Sequence, residues 1–166
     1  MTRTTLPFSR ILDRSCPRER PKTAIGETDD RRELAGLERE SLLEIALLMA
    51  TANGSTSPEE LASLADLVGH LEGNKPLPGA LSTRLRSIEL RGLGTTVEER
   101  VHAIAKTLRR PLARELAYKA AYAIRVADLE SNPDEEDLAD LLIEALDLED
   151  VAADLENEVN EALTTA

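Results

Sequence analysis

The stretch PLARELAYKAAYAIRVADLESNPDEEDLADLL, Pro111 to Leu142, decides how the rest of the chain is read. A proline at a first helical position is followed by Leu112, Leu116, Ala120, Ala123 and Ala127, spaced by three and four residues along one side of a helix. Small residues on that side let a neighbouring helix come close, so this segment is expected to be the central helix. Asn132-Pro133 then caps another helix running through Leu146. Seven carboxylates fall between Val126 and Leu142. They pose three alternatives: a metal site, a partner-docking surface, or the solvated start of an acidic helix.

Upstream, helical periodicity begins at Glu33. Leu34, Leu37, Leu42, Ile45, Leu48 and Met49 recur at helical steps until Asn53-Gly54, a C-terminal stop. Ser57-Pro58-Glu59-Glu60 supplies a cap, a proline at the first helical position and first-turn acids for a helix to about His70. EGNKPLPG is a loop, and a shorter helix covers Ala80 to Leu90. RGLGTT breaks it, and Thr95 or Thr96 with Glu98 or Glu99 reads as a capping box opening a helix to about Leu108. Downstream, EDVAADLENEVNEALTTA is a last acidic helix with Val151, Leu155, Val159 and Ala162 as its apolar stripe. The expectation is an all-α single bundle of six to seven helices, with the domain spanning 33–166.

Composition agrees. Apolar residues make up 42% of the 166, enough for a core, yet Phe8, Tyr118 and Tyr122 are the only aromatics, so Leu, Ala, Ile and Val must build it. The net charge of −12 argues against nonspecific nucleic-acid or anionic-lipid binding. Net charge by segment is +3 over 1–32, −6 over 33–83, +6 over 84–126 and −15 over 127–166. Either the surface is bipolar, or the basic middle and acidic end neutralise one another. A single cysteine, Cys16, makes no intramolecular disulfide, and no apolar run reaches the length of a membrane span, so a cytoplasmic location is expected. Residues 1–32 carry three prolines and little periodicity, the composition of a disordered leader. Within it LPFSRIL is an apolar island, and Leu6, Phe8, Ile11 and Leu12 are candidates for docking another protein.

An internal match spaced by 75 residues sets Ala52 to Leu61 against Ala127 to Glu136. Each copy follows an apolar helix, turns through a polar loop and starts a second helix at cap, proline and acid. This is an αα-hairpin used twice, which implies a pseudo-twofold bundle. The paired corners, the helix ELAYKAAYAIRVAD and the closing ALDL resemble the tellurite-resistance TerB-like family, and are similar to the N-terminal helical domain of the co-chaperone DjlA. The resemblance spans roughly Glu33 to Leu163. It implies an all-helical domain, a non-catalytic role in stress response or in a membrane-associated complex, and corner acids that contact a divalent cation. The chain departs from the family pattern at Asn53, where the family usually has Asp, and at Leu129, where it usually has Gly.

Calcium or magnesium needs several convergent oxygens, and Asp128, Glu130, Asn132, Asp134 and Glu136 supply them in sequence. With Asn53 and Glu60 of the first corner, Asp128, Glu130 and Asp134 form the candidate metal set. An EF-hand is excluded, because its sixth position is Pro133 and its twelfth Ala139. The competing explanation is helix capping plus dipole complementation by Asp134, Glu135 and Glu136, each contributing about 0.3–1 kcal/mol. His70 and His102 lack zinc-ligand spacing, and no phosphate loop, nucleophile elbow or triad signature is present, so no enzyme activity is expected. The basic stretch Lys106 to Arg114 has no interleaved aromatics and reads as a helix junction or as a partner for the acidic helices rather than a nucleic-acid site.

Overall fold

The structure, a computed structural model, describes residues 36–52, 58–72, 78–91, 93–127 and 133–164. Seven helices occupy them, with no strand among the described residues: α1 (Gly36–Ala50), α2 (Pro58–Glu72), α3 (Pro78–Arg91), α4 (Val97–Thr107), α5 (Pro111–Ala127), α6 (Pro133–Ala145) and α7 (Ala152–Thr164). The all-α bundle is therefore as the periodicity predicts. Four of the helices begin on proline, whose fixed φ suits the first turn and whose missing N–H leaves no donor unmet there. α4 begins instead with a capping box. Thr96 Oγ1 accepts from the Glu99 N–H at 3.1 Å, and the Glu99 carboxylate accepts from the Thr96 N–H at 3.4 Å.

α1 and α5 form the centre and share the most extensive interface. Ala46 and Ala50 on one side, and Ala113, Ala117, Ala120, Ala121 and Ala123 on the other, are completely buried. Methyl side chains let two backbones approach closely, which multiplies dispersion contacts. α2 and α6 each pack on both central helices, α4 packs on α1 and α6, and α7 packs on α5.

The expected stripe on α1 is corrected by this arrangement. Leu37 is 74% exposed, while Leu43, Ala46 and Leu47, outside the stripe, are buried with Leu42, Ile45 and Met49. A helix enclosed by neighbours has no single apolar face, so periodicity is a poor guide to it. Two of its carboxylates, Glu38 and Glu44, are buried too and need partners, and the half-buried Glu40 has one as well. The Arg110 guanidinium grips Glu38 through two bonds of 3.0 and 2.6 Å. Arg84 reaches Glu40 at 2.8 Å, and Arg100 donates through Nε to Glu44 at 2.8 Å and again through Nη2.

The last helix is fixed to α5 by both apolar and polar contacts. Leu155, Val159 and Ala162 are fully buried. Beside them Lys119, only 2% exposed, places Nζ 3.0 Å from Glu158 Oε2, within ion-pair reach though not aligned as a hydrogen bond. Tyr118 donates to Glu156 at 3.3 Å, Tyr122 bonds Asn160, and the two tyrosine rings stack 6.4 Å apart. Burial, then the neighbouring Glu156 charge and its hydrogen bond, push the Tyr118 phenol well above its ordinary pKa.

Candidate functional site

The two helix starts that carry the repeated corner show the same local arrangement. Glu60 is the third residue of α2 and Glu135 the third of α6, and each is only 1% exposed. That position is where a capping-box acid reaches back toward the cap. Both carboxylates have interaction partners. Glu135, which the internal alignment sets against Glu60, has the same burial, while the neighbouring Glu136 is 56% exposed and lies 3.6 Å from Arg125.

Of the candidate metal set, Asp134 is exposed on the first turn of α6 and Glu60 is buried in the first turn of α2. Asn53, Asp128 and Glu130 lie outside the described residues, as do the candidate docking residues Leu6, Phe8, Ile11 and Leu12, and Cys16. Among the described residues no group of three or more His, Cys, Asp or Glu is arranged to hold a metal ion. His102 stands exposed on α4, and His70 is half-buried at the end of α2.

The corner after α6 explains ALDL in physical terms. Leu148 donates its N–H to Ile143 O at 2.8 Å, and Asp147 to Glu144 O at 3.2 Å, the paired bonds of a Schellman motif. Leu146 and Leu148 bury into the core while Asp147 takes the left-handed conformation, φ +56°. Arg114 closes the same end of the molecule. Its guanidinium donates to Leu108 O, to Ala105 O at 3.1 Å and to Leu146 O at 3.4 Å, and Asp147 lies 3.3 Å away. One cation thus satisfies carbonyls left over at the C-terminal ends of both α4 and α6.

The basic stretch is thereby largely accounted for inside the fold. Arg110 belongs to Glu38, Arg114 to the helix ends, and only Lys106 and Arg109 are left facing outward, with Arg109 bonded to the Lys106 carbonyl at 3.3 Å. Of the two charge alternatives, neutralisation of the middle by the acidic end holds in part among the described residues. Arg84, Arg100 and Arg110 pair with α1, while Arg114, Lys119 and Arg125 pair with the acidic C-terminal segment. The basic middle is divided between two sets of acids.

The C-terminal acids outnumber those pairings. Asp137, Asp140 and Glu144 line one exposed face of α6, followed by exposed Glu149, Asp150 and Asp154 around the turn into α7. Spacing of three and four residues keeps the first three on one side of the helix, where like charges raise the negative potential and favour a cationic counterpart. A second surface feature is a groove between α1 and α3 lined by Glu40, Gly79, Ala80, Thr83, Arg84 and Ser87, in which the charged pair Glu40 and Arg84 is already joined. No helix among the described residues is long and apolar enough to cross a membrane. Comparison of the chain with known protein families, curated proteins and solved structures finds no match in any of the three.

Proposed function

We propose that the chain is a non-catalytic, TerB-like helical adaptor or stress-response scaffold that acts through protein–protein contacts in the cytoplasm. The observation that carries the reading is the exposed acidic face of α6 and the α6–α7 turn, left outward after the basic residues of the middle segment have been drawn into α1 and the helix ends. The reciprocal packing of α1 and α5, each against α2 and α6, supports the pseudo-twofold arrangement that the repeated corner implies. In this reading the bundle presents the acidic face and residues 1–32 recruit a second protein or a membrane-associated complex. Deleting residues 1–32 then leaves helicity and melting nearly unchanged and abolishes capture of that partner. Retained capture would sink the recruiting role of the leader.

A second reading, a divalent-cation sensor, draws on the buried Glu60 and Glu135 at matching helix starts. Calcium or magnesium would take its oxygens from Asp128, Glu130 and Asp134 with Asn53 and Glu60. Calorimetry with calcium, magnesium and manganese on the wild type and Asp128→Ala separates the two readings. Heat and a raised Tm in the wild type alone support the sensor, and silence from every ion rejects it.

A further inference from the structure

We infer that α3 is a releasable strap that opens as a unit from a core that stays folded without it. Among the described residues the other six helices form a connected set of interfaces, each more extensive than any that α3 makes. α1 and α5 meet through alanines, and α7 is held by buried side chains, a buried ion pair and tyrosine hydrogen bonds. α3 is held differently. It reaches the core through Leu81, Leu85 and Ile88, one stripe at four- and three-residue steps, so its contact is made by side-chain ends rather than by close approach of backbones. Its ion pair to the body, Arg84 with Glu40, leaves the two side chains 27% and 38% exposed, and pairs so open to water contribute little.

The far end of the strap is built differently again. Leu90 on its last turn, Leu93 in the following connection and Val97 at the start of α4 are each at least half exposed, and a 3.3 Å bond from Leu93 N–H to Leu90 O folds the first two into one turn. Three large apolar side chains at one corner are thus left in water rather than packed against the core, so the far end of the strap adds little to its attachment. Segments that open below the global unfolding barrier are those with few buried apolar contacts and solvent-exposed polar links, and α3 combines both with the absence of an extensive interface to any other described helix. Release bares the Leu81, Leu85 and Ile88 stripe together with the core surface beneath it. The inference rests on packing alone and is separate from the adaptor reading.

Amide hydrogen exchange on the full chain tests it. After correction for intrinsic rates, α3 amides are expected to exchange at least tenfold faster than those of α1 and α5. Leu85→Ala should speed α3 by a further tenfold or more and leave α1 and α5 unchanged. Exchange of α3 at the α5 rate overturns the inference. So does a Leu85→Ala variant in which α1 and α5 accelerate as much as α3, because α3 would then be part of the cooperative core.

Discussion

Asp147 holds φ +56° in the position where a Schellman corner ordinarily has glycine. A side chain with a β-carbon pays about 1 kcal/mol or more for that conformation, less for Asp than for a branched residue. Its contact with Arg114 is long and its side chain is 82% exposed, so little is lost with it. Asp147→Gly should therefore stabilise the fold by about 0.5–1 kcal/mol and Asp147→Val should destabilise it, both read from urea midpoints. Tyr118 makes a second prediction at this scale. Its phenol titrates higher in the fold than in the unfolded chain, so its contribution is complete below pH 10 and is lost as pH rises above that value. Melting temperature should fall from pH 9 to pH 11.5, and Tyr118→Phe should flatten that fall; an unchanged slope would contradict the burial argument. Several of these residues were legible in sequence. The Thr96 and Glu99 pair and the prolines at helix starts are local signals, because the atoms that satisfy one another lie within one turn. Glu38 and Arg110 stand 72 residues apart, and nothing in either neighbourhood announces the other.

Among the elements, the stripe of α7, which has one buried side, was read correctly, and that of the central helix α1 was not. The stripe on α7 falls where Leu155, Val159 and Ala162 are fully buried, because α7 packs on α5 and faces water elsewhere. The stripe on α1 missed Leu43, Ala46 and Leu47 because several helices pack around that helix, and it included Leu37, which stands in water on the first turn. The ends of elements carry the next test. Removing the Arg114 guanidinium in Arg114→Met leaves carbonyls of two helices without their donor, at a cost of about 1–3 kcal/mol in chemical denaturation. The attachment of α7 is more sensitive. Glu158→Ala leaves the Lys119 charge buried without its counter-ion, and a loss of about 3–5 kcal/mol is expected. The apolar pair Lys119→Met with Glu158→Leu should recover most of it. If the double variant is no more stable than Glu158→Ala, the buried charge is not the cause of the loss.

For the whole molecule, net charge was legible in sequence but its disposition was not. Segment sums show a basic middle and an acidic end, yet which acids meet which arginines depends on helix packing, and α1 takes Arg84, Arg100 and Arg110. The same limit applies to the candidate site. The acidic corner was visible as a run of carboxylates, but its division into a buried Glu135, an ion-paired Glu136 and an outward row of Asp137, Asp140 and Glu144 follows from the orientation of α6. If that row is the working surface of an adaptor, reversing it should remove binding without unfolding the bundle. The most direct measurement is affinity capture from a cell lysate, read by quantitative mass spectrometry, with wild type beside the triple variant Asp137→Lys, Asp140→Lys, Glu144→Lys. The account predicts a set of proteins enriched on the wild type and lost from the variant, with helical circular dichroism the same for both. An identical set on both chains would contradict it.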